Sequence, residues 1–243
     1  MSARPIRRFR ILARAGAGGS GEVFRAIDET TGAEVALKIA RDATGRRALS
    51  REARYATLAL SPRLPELIDV GWISIDGAAA ETRETPGDAF LALRWVEGAP
   101  LSAPRSRTAG ARVELALMVA RDVGEALGDL HGVGIAHGDL KPENVIVDSL
   151  GRAHLLDLGL ACALYTAGVE GATPRYLARG DSDLGDARAR DMAALGTVLA
   201  EIADETVAAS ENPVNAARSA RLPDPIYAIC AALLAPNPGA RPS

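Results

Sequence analysis

The hydrophobic and polar positions divide this chain into a β-rich first part and an α-rich second part. In the first part, apolar residues alternate or cluster in short runs separated by turns, which is typical of strands. The predicted strands cover residues 9–14, 22–27, 34–40, 67–73 and 90–96, and one predicted helix covers residues 47–60. Residues 77–88 combine small and polar side chains with Pro and Gly, which predicts an exposed loop.

The second part shows the period of amphipathic helices instead. Apolar residues at helical spacing predict three helices, over residues 111–131, 189–205 and 224–234. The change of pattern falls near residues 95–100. The sequence therefore predicts an α+β chain whose strands precede most of its helices.

Composition and charge narrow the class of protein. At 243 residues and 48% hydrophobic content, the chain can form one large domain or two lobes. A net charge of −3 gives no indication of a nucleic-acid partner or an anionic membrane surface. No run approaches 18 apolar residues, so we expect no transmembrane helix within these residues. Cys162 and Cys230 lack metal-ligand spacing, and we expect free thiols in a reducing, cytoplasmic compartment.

Only two of the 28 basic residues are lysines, Lys38 and Lys141. Lysine is a compact point charge on a flexible stem, whereas arginine is a wide planar fork. Both lysines lie in segments whose residues suit phosphoryl transfer. We therefore interpret them as functional positions rather than as survivors of codon bias.

A glycine-rich segment, Gly-Ala-Gly-Gly-Ser-Gly-Glu-Val at residues 16–23, joins the first two predicted strands. The spacing G-x-G-x-x-G is a weak signal alone, because glycine-rich hairpin turns are common. A strand follows the segment, which excludes a dinucleotide-binding turn, and no Gly-Lys-Ser/Thr ending is present, which excludes a P-loop. The context favours a glycine flap whose backbone N–H groups approach phosphates.

Lys38 lies in the apolar strand segment Val35-Ala36-Leu37-Lys38. A cation is costly to bury there unless it is paired, and Glu52 on the next helix is the candidate partner. An exposed lysine on an edge strand is the alternative interpretation.

The segment His-Gly-Asp-Leu-Lys-Pro-Glu-Asn, residues 137–144, carries the strongest signal. Asp139 suits a proton acceptor, Lys141 suits a cation that neutralises a phosphoryl group, and Asn144 suits a metal ligand. Asp157 in Leu-Leu-Asp-Leu-Gly follows after a predicted strand and suits a second metal ligand.

On these motifs, and on an Arg-Pro ending at residues 237–243, the whole chain resembles the eukaryotic-type (Hanks-type) serine/threonine protein kinase family common in bacteria. The resemblance implies a bilobal protein-kinase-like fold over residues 1–243. The β-rich N-lobe would extend to about residue 96, the hinge would cover about 94–100, and the α-rich C-lobe would begin near residue 101 and end before the family's last helix. It also implies ATP- and Mg²⁺-dependent phosphorylation of protein Ser/Thr hydroxyls, including autophosphorylation.

The resemblance assigns roles residue by residue. Asp139 and Lys141 would be catalytic, and Asn144 and Asp157 would bind Mg²⁺. Lys38, paired with Glu52, would contact the α- and β-phosphates. The glycine flap over the phosphates would comprise Ala15, Gly16, Ala17, Gly18, Gly19, Ser20, Gly21 and Val23. Val23, Ala36 and Ile146 would enclose adenine, with Leu93 as gatekeeper and Arg94 to Val96 as hinge. Thr173-Pro-Arg-Tyr would dock the substrate, and Asp191 would brace the catalytic loop.

Several positions depart from the family pattern. Gly138 replaces a frequent arginine that receives an activation-loop phosphate, so we expect activity without phosphorylation of Thr166 or Thr173. Ala56 is smaller than usual and predicts a looser Lys38–Glu52 pair. Residues 178–180, Ala-Arg-Gly, replace Ala-Pro-Glu, which leaves the usual acidic partner of Arg241 to Asp181 or Asp183, or absent.

Two alternatives from other functional classes stay open. A pseudokinase scaffold would bind nucleotide without transfer, and a small-molecule phosphotransferase of the aminoglycoside-kinase type shares His-Gly-Asp. Further domains, or a membrane tether, would lie C-terminal to residue 243.

Overall fold

The computed structural model describes residues 8–18, 21–58, 61–73, 88–103, 108–164, 173–177 and 186–242. The chain divides into two compact units. The first comprises Met1–Leu58 and Pro65–Val96, and the second comprises Ala59–Leu64 and Glu97–Ser243. The expected loop over residues 77–88 lies, apart from Asp88, outside the described residues.

The first unit contains a five-stranded antiparallel sheet and a helix. The strands are β1 (Phe9–Gly18), β2 (Gly21–Asp28), β3 (Glu34–Ala40), β4 (Leu67–Ile73) and β5 (Asp88–Arg94), and the helix is α1 (Ala43–Leu58). Their order across the sheet is β1-β2-β3-β5-β4. The predicted elements are confirmed in kind, but their bounds differ. Strand β1 extends four residues further than expected, α1 begins four and ends two residues earlier, and β5 begins and ends two residues earlier.

Strand alternation gives this sheet two apolar faces. One face holds a cluster of Ala26, Val35, Leu37, Phe90 and Ala92. Phe9 of β1 packs edge-on against Phe90, with ring centroids 5.1 Å apart. The other face is covered by α1, and there Ala40, Ala89, Leu91 and Leu93 of the sheet cluster with Leu49 and Ala53 of the helix. Since Lys38 alternates with Leu37 along β3, its side chain belongs to the face that α1 covers.

The second unit contains the remaining helices and short strands. Its helices are α2 (Ala109–Gly132), α3 (Ala187–Ala203), α4 (Glu205–Ala208), α5 (Pro213–Ser219) and α6 (Asp224–Leu233). Its strands are β6 (Ala99–Pro100), β7 (Ile135–Ala136), β8 (Val145–Val147), β9 (Ala153–Leu155) and β10 (Cys162–Ala163). These strands pair as β6-β8-β9 and as β7-β10. Strands β7 and β8 flank the segment that contains Asp139, Lys141 and Asn144, and β9 precedes Asp157.

Helix α3 forms the centre of the second unit. It is buried from Ala189 to Glu201 and packs against α2, α5 and α6. Thr108 caps α2 and Asp186 caps α3, each accepting a hydrogen bond from a first-turn N–H. The three predicted helices are confirmed within two residues at each end, whereas α4 and α5 were not predicted because they are too short to show a period. In the described part of the chain, no helix combines the length and apolarity needed to cross a membrane.

Candidate active site

The glycine-rich segment forms the β1–β2 hairpin of the first unit. Gly16 pairs with Val23, and Gly18 pairs with Gly21, while Gly19 and Ser20 lie outside the described residues. Gly21 adopts a φ of +125°, and a Cβ built there would stand 2.1 Å from the carbonyl oxygen of Ile39. Any other residue at position 21 would therefore disturb the pairing of β2 with β3. Glycine is needed here for chain packing, apart from any ligand.

Four predicted nucleotide-binding residues share one face of the first unit's sheet. Val23 lies directly opposite Lys38, and Ala36 lies directly opposite Leu93. Cross-strand partners point to the same side, and Ala36 and Lys38 are two residues apart, so all four side chains lie on the face that α1 covers. Leu93 is buried, while Val23 and Ala36 stay half-buried.

Lys38 and Glu52 form a closed ion pair within the first unit. The Lys38 ammonium donates to both Glu52 carboxylate oxygens, at 2.7 and 2.8 Å. The exposed fractions are only 8% for Lys38 and 1% for Glu52. The looser pair expected from Ala56 is wrong, because Ala56 packs against the apolar cluster under α1 and the helix still delivers Glu52 to the lysine. The alternative of a solvated edge lysine is excluded as well.

The predicted hinge begins where β5 ends. The Arg94 N–H donates to Glu66 O at 2.8 Å, and the Trp95 N–H donates to Glu34 O at 3.0 Å. These bonds occupy the two N–H groups with protein partners. Among residues 94–96, and within the described part of the chain, the N–H of Val96 is the one without such a bond.

The second unit joins Asp139, Lys141 and Thr173 in one polar network. Asp139 Oδ1 accepts from the Thr173 N–H at 2.8 Å and from the Thr173 hydroxyl at 2.7 Å. The Lys141 ammonium donates to Asp139 Oδ2 at 2.5 Å and to Thr173 Oγ1 at 2.9 Å. Two segments that lie 34 residues apart in the chain thus hold one carboxylate in a fixed orientation. A carboxylate held in this way can accept a proton without first reorganising.

A buried aspartate holds the backbone of the catalytic loop. Asp191 of α3 accepts from the N–H groups of His137 at 2.8 Å and Gly138 at 3.0 Å. Its Oδ2 also lies 2.9 Å from His131 Nε2, a contact that the sequence analysis missed. The His137 ring accepts from the Asp139 N–H through Nδ1 and therefore donates through Nε2 to Leu156 O, at 2.9 Å. Asp191 thus has the bracing position expected of it.

Gly138 is required by the shape of this loop. Its φ is +84°, and a Cβ at this position would stand 2.5 Å from the carbonyl oxygen of Leu160. Glycine takes this left-handed conformation without steric cost. An arginine at this position would clash with the backbone of Leu160. Gly138 therefore has a structural role in the loop, besides its lack of a side chain that could receive a phosphate.

The two predicted metal ligands both offer oxygen atoms. Asn144 donates through Nδ2 to Asp139 O at 2.9 Å, which leaves its amide oxygen as an acceptor. Asp157 has a φ of 69°, and it is the non-glycine residue with positive φ in the described part of the chain. Such strain concentrates at functional sites. Among the described residues, no group of three or more His, Cys, Asp or Glu side chains could hold an ion alone. The pair fits Mg²⁺, which uses one or two protein oxygens together with phosphates and water.

Comparison with known proteins agrees with this geometry. The family model for the protein kinase domain matches residues 9–242. The chain belongs to the protein kinase domain family.

Named relatives come from bacteria. The chain is 32% identical over 208 residues to the DNA damage-responsive serine/threonine-protein kinase RqkA of Deinococcus radiodurans, covering 81% of this chain and 30% of the relative. It is 31% identical over 160 residues to PknE of Mycobacterium tuberculosis, covering 64% and 26%, and 28% identical over 202 residues to PknA of the same species, covering 79% and 45%. The chain thus spans less than half the length of these relatives.

The kinase domain also contains a buried charge cluster that the sequence analysis did not predict. Glu201 of α3 is 9% exposed and lies 3.2 Å from the Arg175 guanidinium and 3.2 Å from the Tyr176 hydroxyl. Burial raises the pKa of Glu201, although the bonds from Arg175 and Tyr176 oppose that shift. Burial and the nearby Glu201 and Glu143 carboxylates raise the pKa of Tyr176. The sequence analysis named Arg175 and Tyr176 only as part of the substrate-docking segment, and no local signal marks Glu201.

Other predicted positions have plainer surroundings. Ile146 lies half-buried in β8. Arg241 is buried, and its guanidinium donates to the carbonyl oxygens of Ala189 and Ala235. Thr166, residues 178–180, Asp181 and Asp183 lie outside the described residues, so their predicted roles stay predictions.

Proposed function

We propose that this kinase domain transfers the γ-phosphoryl group of ATP to serine and threonine hydroxyls of proteins. The observation that carries the proposal is the network in which the Asp139 carboxylate receives hydrogen bonds from Lys141 and Thr173. It supports a proton acceptor that is oriented before the substrate arrives. The relatives named as serine/threonine-protein kinases support the same acceptor class.

In the second unit, Asp139 accepts the proton of the substrate hydroxyl as its oxygen attacks the γ-phosphorus. The bond between that phosphorus and the β–γ bridging oxygen breaks, and ADP leaves with the bond's electrons. Lys141 neutralises charge on the transferring group from its position beside Asp139. The Thr173 hydroxyl holds both side chains in place, because it donates to Asp139 and accepts from Lys141.

In the first unit, Lys38 binds the α- and β-phosphates while Glu52 keeps its ammonium extended. Val23 and Ala36 contact the adenine ring, and the N–H of Val96 donates to it. Residues 15–18 and Gly21 of the hairpin cover the phosphates, and Leu93 limits the size of the adenine pocket. Ile146 of the second unit is a further proposed adenine contact. These assignments are supported by the position of Val23, Ala36, Lys38 and Leu93 on one face of the sheet.

Asn144 and Asp157 would hold Mg²⁺ through their oxygens. When bound, the ion neutralises phosphate charge and orients the phosphates. The contribution of the chain itself is the orientation of both side chains. The hydrogen bond from Asn144 to Asp139 O links one ligand directly to the catalytic loop.

The test compares wild type with Asp139→Asn, using labelled ATP, Mg²⁺ and a generic basic protein as acceptor. Asparagine keeps the size of the side chain but does not accept the hydroxyl proton. We expect transfer to fall by about 10²- to 10⁴-fold. Phosphorylation that is absent in wild type, or equal in both proteins, would contradict the proposal.

A thermal melt provides the control. Asp139→Asn should melt within a few degrees of wild type, so that lost transfer does not reflect unfolding. A nucleotide-dependent rise in melting temperature without any transfer in wild type would instead favour a pseudokinase scaffold. Transfer to an aminoglycoside but not to protein would favour the small-molecule phosphotransferase.

A further inference from the structure

Helix α1 carries a row of arginines on its outer side. Arg47, Arg51 and Arg54, here called the basic stripe, are all exposed and are spaced by four and three residues. This spacing aligns them along one side of a helix over about 10 Å. The residues that α1 buries are Gly45, Leu49, Glu52 and Ala53. The stripe therefore lies on the side of α1 away from the sheet, opposite the side that delivers Glu52 to Lys38.

The stability of α1 does not account for the basic stripe. Asp42 caps the helix, but the first turn beyond the cap contains Arg46 and no acid, and the last turn contains no base. Cations stabilise a helix near its C-terminus rather than near its N-terminus. Like charges four residues apart, as at Arg47 and Arg51, destabilise a helix. The sole acid within α1, Glu52, points inward.

Two arginines on the surface of the first unit's sheet have acidic partners. Arg10 pairs with Glu29, and Arg14 pairs with Glu22. In contrast, Arg47 and Arg54 have no carboxylate within ion-pair distance among the described residues. Arg54 instead lies over the ring of Tyr55, 5.8 Å from its centroid. The charge of these two side chains is thus left to solvent or to a partner.

We propose that the basic stripe docks an acidic segment of a partner protein, with Asp or Glu carboxylates at helical spacing. Charge complementarity selects an anion, and the guanidinium fork matches a carboxylate in bidentate geometry. Neighbouring arginines in the row are about 5–6 Å apart at Cβ, so each one meets a separate anion. A row of single carboxylates fits this arrangement, whereas one phosphate group would need arginines that converge on a point.

The test measures binding of a synthetic helical peptide that carries glutamates four and three residues apart. Fluorescence anisotropy gives the Kd for wild type and for the triple variant Arg47→Gln, Arg51→Gln, Arg54→Gln. We expect the variant to bind about tenfold more weakly, and the wild-type affinity to fall between about 50 and 300 mM salt. The matched control, Arg10→Gln, Arg14→Gln, Arg221→Gln, removes the same charge elsewhere and should bind within about twofold of wild type.

Several results would overturn the proposal. One is a control variant that binds the peptide as weakly as the triple variant does. Another is a triple variant whose Kd equals that of wild type. The third is tighter wild-type binding to a singly phosphorylated neutral peptide, or to anionic phospholipid vesicles, than to the glutamate peptide. Single variants at Arg47 and Arg54 answer the question if the triple variant melts early. Because binding is measured without ATP, the outcome is independent of whether the chain proves to transfer phosphate.

Discussion

The two lysines of this chain stabilise their carboxylate partners in opposite ways. In the first unit, the Lys38 ammonium occupies both oxygens of Glu52, in a pair almost fully removed from solvent. In the second unit, Asp139 divides its oxygens between Lys141 and the two donors of Thr173, and Lys141 is 24% exposed. A buried pair fails as a whole when one partner is lost, whereas a network keeps part of its bonds. The Lys38–Glu52 pair suits a lysine that must keep one fixed position, whereas the network around Asp139 suits a carboxylate that must exchange a proton.

We expect the largest effect from a substitution in the buried Lys38–Glu52 pair. Lys38→Met removes the cation from a buried carboxylate, so we expect the free energy of unfolding to fall by about 3–5 kcal/mol and transfer to be nearly lost. Urea unfolding and labelled-ATP transfer measure the two quantities.

The double variant Lys38→Met, Glu52→Leu serves as the control for that change. Since it removes both charges, it should recover most of the stability without recovering transfer. If the double variant were as unstable as the single one, the pair would not be the cause.

The same substitution in the second unit should separate stability from activity. Lys141→Met leaves Asp139 with both Thr173 bonds, so we expect a loss of only about 1–2 kcal/mol in the free energy of unfolding. Transfer should still fall by about 10²-fold, because the charge beside the reacting group is gone. A stability loss equal to that of Lys38→Met would remove the distinction between the two sites.

A smaller effect is expected at Thr173. Thr173→Val keeps the N–H bond to Asp139 and removes the hydroxyl contacts with Asp139 and Lys141. We expect about a tenfold loss of kcat, corresponding to about 1.4 kcal/mol. Thr173→Ser restores the hydroxyl and should regain most of the rate. Equal rates for Val and Ser would show that the hydroxyl has no part in orienting Asp139.

The smallest effect concerns a carboxylate of the second unit outside the catalytic loop. Burial acts to raise the pKa of Asp122, but hydrogen bonds from Arg121 and the Ala153 N–H, with the charge of Arg63, hold it below its usual 3.8. A lowered folded-state pKa contributes stability that is present above pH 3.8 and is lost as the pH falls through the lowered value.

Asp122→Asn should therefore cost about 0.5–1 kcal/mol near neutral pH, and its difference from wild type should shrink in acid. Chemical denaturation across pH measures that difference. A gap that stays constant from neutral pH into strong acid would show that the charge of Asp122 is not what stabilises the unit.

The elements that the sequence predicted share a local cause. Each strand of the first sheet and helices α2, α3 and α6 carry apolar residues at the period of their own backbone, which needs no knowledge of distant segments. Helices α4 and α5 were not predicted, because four and seven residues contain too few turns to show a helical period. The looser pair expected from Ala56 was wrong because one smaller side chain did not prevent α1 from packing on the sheet.

The sequence by itself determined which residues can carry the chemistry, because Asp139, Lys141, Asn144 and Asp157 stand at spacings that a short chain segment enforces. Only the tertiary structure decided which oxygen each lysine binds, that Gly138 lies against Leu160 O, and that His131 and Asp191 support the loop from 60 residues apart. It also decided that Glu201 stands beside Arg175 and that the arginines of α1 face outward. Burial and hydrogen-bond direction arise where distant segments pack together, and neither is encoded in the spacing of neighbouring residues.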